Sequence, residues 1–235
     1  VSGLSDQQET LAALLPRHPV RIPRSFVGED RSGRGPLAEF VRRHRGRALD
    51  LYLLALASRN EAEVPPLSAA VWGRALGLEA GSAAPIVSRL WRWLEGEGLL
   101  VSARVGRTKE IRLTSIERSE RDILLASAFF HGNFHNRLPM PAKAVLLVAL
   151  AETGWLSISD DGSDVYGLNR DTVRRGLNAL RTIGLLRAEL TRAPSPLTSK
   201  GFIVQRTYRV LPPFAPAAST EENRPQTLDA FERPD

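Results

Sequence analysis

One pattern occurs twice and limits the architecture more than any other feature. It is an amphipathic run closed by a glycine, followed at once by two leucines and a β-prone stretch. The copies are "VSRLWRWLEGEGLLVSARV" (87–105) and "VRRGLNALRTIGLLRAEL" (173–190). Shifting the first by 86 positions places Val87, Arg89, Leu94, Gly98, Leu99 and Leu100 on Val173, Arg175, Leu180, Gly184, Leu185 and Leu186. Apolar residues at three- and four-residue spacing specify a helix with one apolar stripe. A glycine just past the last periodic position accepts the left-handed conformation that ends such a helix. The helices preceding each copy also match, "YLLALA" (52–57) against "LLVALA" (146–151), at a different offset. Two similar modules are implied, over 36–115 and 140–211.

Within the first module, Leu37, Phe40 and Val41, then Leu49, Tyr52, Leu53 and Leu56, carry helical spacing. Pro65-Pro66 marks a loop, and Ser68 caps a short helix ended by Gly77. Ser82 is the expected cap of the next helix, with Pro85 tolerated in its first turn. Ile86, Leu90 and Trp93 or Leu94 would face inward, and Ser88, Arg89 and Arg92 outward. Two strands follow about a turn at Gly106-Arg107. In the second module Asn169 caps a helix with Val173, Leu177 and Leu180 inward, and Arg170, Arg174, Asn178 and Arg181 outward. The expected fold is α+β, mainly helical with small β-hairpins.

Outside the modules, "PRHPVRIPRSFVGEDRSGRGP" dominates residues 1–35 and predicts a flexible basic arm. Residues 116–139 predict a connector helix and turn, anchored by Phe129, Phe130 and Phe134. Residues 212–235 are proline-rich and polar without periodicity, the composition of a disordered tail.

Composition narrows the chemistry. The chain has no cysteine, so disulfides, thiolate metal sites and cysteine nucleophiles are excluded. Its net charge of +6 and pI of 10.4 favour a polyanionic partner, although the arginine bias (the lysines are Lys109, Lys143 and Lys200) also suits a GC-rich genome. No stretch approaches the ~20 apolar residues of a membrane span, and no signal-peptide pattern occurs, so a cytoplasmic location is expected. No phosphate loop, nucleophile elbow or paired-carboxylate motif is present; neither an enzyme nor a cofactor is expected. His131 and His135 stand four apart but lack a helpful carboxylate, which favours a structural role over zinc. Asp160, Asp161 and Asp164 lack the ligand order of a calcium loop. Trp72, Trp91, Trp93 and Trp155 fit a core better than a base-stacking platform.

"PIVSRLWRWLEGEGLLVSARVGRTKEIRLT" resembles the recognition helix and wing of winged helix-turn-helix DNA-binding proteins, and "LNRDTVRRGLNALRTIGLLRAEL" resembles a second copy. The resemblance implies two tandem winged helix-turn-helix domains and a sequence-specific partner, double-stranded DNA. Helices 83–97 and 170–183 would enter the major groove. Ser88, Arg89, Arg92, Arg170, Arg174, Asn178 and Arg181 would meet bases or phosphates. Arg104, Arg107, Lys109 and Arg112 in the first wing, and Arg192 and Lys200 in the second, would position the backbone. A bacterial or phage transcriptional regulator at the nucleoid is the implied role. Plasmid replication initiators share the arrangement, with one module reading and the other pairing subunits as a homodimer. Adaptor subunits of chromosome-condensing complexes also resemble it and grip a protein partner, but the basic helices here favour DNA. One departure is the acidic "SISDDGSDVYGL" in the place of the second module's middle helix. Its carboxylates must face away from phosphate, or that module contacts protein.

Overall fold

The N-terminal segment is built into the body of the molecule. The computed structural model describes residues 2–15, 17–28, 33–105, 108–114, 121–158, 166–194 and 202–215. Ser2–Leu14 forms helix α1, Val20–Ile22 strand β1 and Arg24–Val27 the single turn α2. The flexible arm expected over 1–35 is therefore corrected. Leu11, Leu15, Val20, Ile22, Phe26 and Val27 are all buried, while Arg17 and Arg21 stay outside. Enough apolar surface is hidden to offset the entropy of ordering a proline-rich stretch. β1 has a partner that local sequence does not reveal: Ile123–Leu125, antiparallel, with Val20 opposite Leu125.

The first half continues with α3 (Pro36–Arg42), α4 (Gly46–Ser58), β2 (Glu63–Val64), α5 (Ala69–Ala75), α6 (Ala80–Gly96), β3 (Leu100–Val105) and β4 (Thr108–Leu113). Pro36 opens α3 at the position where its missing N–H costs nothing. Ser68 caps α5 as expected, accepting from the Val71 amide. The three strands order as β2-β4-β3, all antiparallel. Thus the short strand between α4 and α5 lies against the second strand of the hairpin.

The strand Ile123–Leu125 (β5) stands where a connector helix was expected. Alternating burial of its three residues accounts for the difference, because β1 supplies a ladder. Next come α7 (Ala128–His131), α8 (Phe134–Arg137), α9 (Met140–Ala151), β6 (Trp155–Ile158), α10 (Arg170–Thr182), β7 (Leu186–Pro194) and β8 (Phe202–Val210). The second sheet orders as β6-β8-β7, again antiparallel. The two halves therefore share helix, short strand, arginine-bearing helix and hairpin, with the short strand on the hairpin's second strand. The fold is α+β, as expected.

α4 and α9 are buried on every side, from Ala48 to Ala57 and from Ala142 to Leu150. Helices apolar all round belong at the centre of a domain. Their one charged meeting is internal: Lys143 Nζ donates to both oxygens of Asp50. Arg24 ties the N-terminal segment to the second half, donating to the Ala151 carbonyl and the Tyr166 hydroxyl and pairing with Glu152 at 3.7 Å. Phe129 and Phe130 are buried and Phe134 is half-buried. Phe214 is also buried, 5.1 Å from Phe134 and 6.5 Å from Phe129 between ring centroids. The expected disordered tail is thus corrected at its start, where one aromatic outweighs its proline neighbours. Residues 216–235 lie outside the described residues.

Candidate nucleic-acid interface

α6 is seated more deeply than its apolar periodicity suggested. Its buried residues are Ala83, Val87, Trp91 and Leu94; Ile86, Leu90 and Trp93 are half-buried. Trp91 supplies the reason, with its ring edge-on to Trp72 at 5.4 Å. Trp93 packs against Phe40 at 4.7 Å and carries Arg45 over its outer face. Both rings are thereby engaged in packing. The helix also begins earlier than expected, at Ala80. Ser82 lies inside its first turn, its hydroxyl donating to the Glu79 carbonyl, and caps nothing. Ser88, Arg89 and Arg92 are exposed, as expected. Gly98, at φ 71°, ends the helix, and the Leu99 amide reaches back to the Leu94 carbonyl.

α10 repeats this with a cleaner division. Thr172, Val173, Gly176, Leu177 and Leu180 are buried; Arg170, Arg174, Asn178 and Arg181 are exposed. Asn169 accepts from the Thr172 amide at 2.8 Å, the expected cap. Gly184, at φ 75°, closes the helix through the same Leu185-to-Leu180 return bond. Gly176 lets α10 lie directly on α9, since a Cβ there would collide with the Pro141 carbonyl and approach Val145 Cγ2 to 2.5 Å.

The charge on α10 is less simple than its arginine row. Asp171 pairs with Arg174 at 2.7 Å and with Arg175 at 2.6 Å. The hydrogen bond from Arg174, with the charge of Arg175 beside it, holds the Asp171 carboxyl below its usual range. Arg174, expected to be a free reader, is therefore tethered. Arg170 and Arg181 make no salt bridge to other described residues. Arg175 was not singled out for this face, although its alignment with Arg89 and the three- and four-residue spacing from Asp171 could have revealed it.

The wings are described in part. Arg104 stands opposite Lys109 across β3 and β4, and Arg192 lies on β7 opposite Val204. The side chains of these three residues lie outside the described structure, as do Arg107 and Lys200 entirely. Asp160, Asp161 and Asp164 also fall outside it. Arg112 is not a free cation: its guanidinium donates to Glu63 at 2.8 Å across β2 and β4. Two cations missed in the sequence, Arg187 and Arg209, stand opposite each other on β7 and β8, with Arg209 over Trp155 at 5.4 Å. Only the pairing register brings them together.

Of His131 and His135, His135 serves packing. His135 is buried, its Nε2 lying 3.1 Å from Gln7 Nε2 and its Nδ1 3.3 Å from the Phe129 carbonyl. Gln7 donates also to the Ala75 carbonyl and accepts from Asn136, so α1 is fastened to α5 and α8 together. Among the described residues no group of three or more His, Cys, Asp and Glu side chains could hold a metal ion. None of the described helices is long and apolar enough to cross a membrane. Compared with known proteins, the chain matches no family model, no curated protein and no solved structure.

Proposed function

We propose that the chain is a sequence-specific double-stranded DNA-binding protein of two winged helix-turn-helix modules. It reads base edges with α6 and α10 and meets the backbone with the β3–β4 and β7–β8 hairpins. The duplicated arrangement carries this reading. In each half an arginine-bearing helix sits on an apolar base, and the hairpin after it is locked by the short strand before it. A helix about 10–12 Å wide fits the roughly 12 Å major groove. Outward arginine and asparagine suit guanine and adenine edges, and the net charge of +6 draws in a polyanion. The role that fits is a bacterial or phage transcriptional regulator.

The experiment is selection of duplexes from a random pool at two salt concentrations, followed by affinity measurements on the selected site. Replacing Arg170 and Arg174 together with alanine should weaken specific binding by about 1–3 kcal/mol for each base-reading pair lost. Unchanged affinity would remove α10 as a reader. Failure of the intact chain to enrich any sequence at either salt would remove the whole reading.

One observation favours a second reading for the α10 half. Asp171 draws charge away from Arg174 and Arg175, and Ile183 and Leu190 are exposed at 41% and 53%. A half of that character suits a protein contact, with a second copy as in replication initiators or with another protein as in condensing-complex adaptors. Sedimentation of the chain with and without its selected duplex separates the two.

A further inference from the structure

A cleft of about 550 Å³ lies where the last turns of α10 meet the start of β7. Asn178, Arg181 and Thr182 line it from the helix, and Leu186, Arg187 and Ala188 from the strand. Arg181 and Arg187 are among its lining residues, and no Asp or Glu is. The Thr182 hydroxyl is already committed to the Asn178 carbonyl at 2.9 Å, so the two arginines and the Asn178 amide are the polar groups left to bind a ligand.

The first half shows what this corner looks like when it is closed. The same 86-position shift places Arg181 on Glu95 and Ala188 on Ser102. Glu95 Oε1 accepts from the Ser102 amide at 3.1 Å and from its hydroxyl at 2.5 Å, tying α6 to β3. In the second half the carboxylate has become a guanidinium and the serine an alanine. The internal tie is lost, and a second cation, Arg187, stands where the first half has Val101. Two cations lining one cleft with no acidic residue among them favour an anion there. Guanidinium groups match phosphate oxygens in pairs of parallel hydrogen bonds.

We propose that this cleft is a phosphate-binding site, with Arg181 and Arg187 gripping one backbone phosphate of the duplex that α10 engages. The duplex as the source of that phosphate rests on the reading given above; the cleft's affinity for phosphate does not. A grip of this kind fixes the helix's register on the backbone without reading sequence.

The test uses the full chain, Arg187→Ala, and the double variant Arg181→Glu with Ala188→Ser. The double variant copies the first half's closed corner, so its melting temperature should match that of the parent chain. Binding is measured with a selected duplex and a mixed-sequence duplex over a salt series. The Nε–Hε resonances of Arg181 and Arg187 are followed while inorganic phosphate is added. Both variants should lose roughly tenfold in affinity, equally for the two duplexes. The slope of log affinity against log salt should become shallower by about 0.9. Phosphate should shift both resonances in the parent and not the remaining Arg187 resonance in the double variant.

Parent-like affinity and salt slope in both variants, with a parent chain that does bind DNA, would overturn the grip while leaving α10 as a reader. A parent chain that binds no duplex, yet shows phosphate shifts abolished in the double variant, would keep the cleft as a phosphate site filled from free solution and sink the DNA reading. Absence of both duplex binding and phosphate shifts would overturn both.

Discussion

Lys143 Nζ lies 2.6 Å from Asp50 Oδ1 and 2.7 Å from Oδ2, in the closed interior between α4 and α9. Burial pushes the Asp50 carboxyl up to about 6 even though Lys143 pulls it down. Replacing Asp50 with alanine strands a buried ammonium and should cost about 3–5 kcal/mol in urea unfolding. Changing Asp50 to leucine and Lys143 to methionine together should cost far less, because the desolvation of both charges disappears. A double variant as unstable as the single one would contradict this.

Acid should loosen the α1–α5–α8 junction through His135. Burial pushes its imidazole down to about 4, from the 6.5 of an exposed histidine. The folded state holds the ring neutral, so its contribution is complete above pH 6.5 and drains away as pH falls toward 4. The loss at pH 4 is about 3 kcal/mol. Asp50 works in the opposite sense: its raised folded value favours the folded state at low pH and is lost as pH rises through about 6. Urea midpoints between pH 4 and 7 should therefore fall less steeply on acidification in His135→Gln. Identical acid slopes in the variant and the parent would show that His135 is not the responsible group.

At Gly176 α10 lies directly against α9. Gly176→Ala places a methyl group against the Pro141 carbonyl and Val145. Overpacking of this kind should destabilise by about 1–3 kcal/mol. It should also tilt α10 off its seat, so DNA affinity should fall by more than the fraction unfolded explains. Calorimetry with a parallel binding curve checks both, and a parent-like melting temperature would refute the close contact.

On α6, Arg89 and Arg92 are exposed and lie on the face away from Trp91. Alanine at each should cost about 1–3 kcal/mol on the selected site and relax base preference at one position. Equal losses on selected and mixed-sequence duplexes would reassign them to the backbone.

Local signals were legible where they are self-contained. Ser68, Asn169, Gly98 and Gly184 cap or close helices through atoms a few residues away. The two faces of α10 follow from periodicity alone. Long-range partners were hidden. Val20 and Ile22 looked like arm residues because their strand partner is more than a hundred positions away. Trp91 rather than Trp93 became the deep residue of α6 because α5 supplies Trp72 to meet it. Phe214 had no periodic neighbour to announce its burial, and Arg112 met Glu63 only once β2 joined β4. The Asp171 pairs lay within one helical turn and could have been anticipated from spacing.

On the proposed function, the two buried helices would also act as a ruler. α6 packs on α4 and α10 on α9, and the Asp50–Lys143 pair links those two supports. On the proposed function, the two contacted tracts of a binding site must then keep one phase of the double helix. Adding about half a turn of DNA between them should abolish joint engagement, and a further half turn should bring the tracts back to one face at the wrong distance.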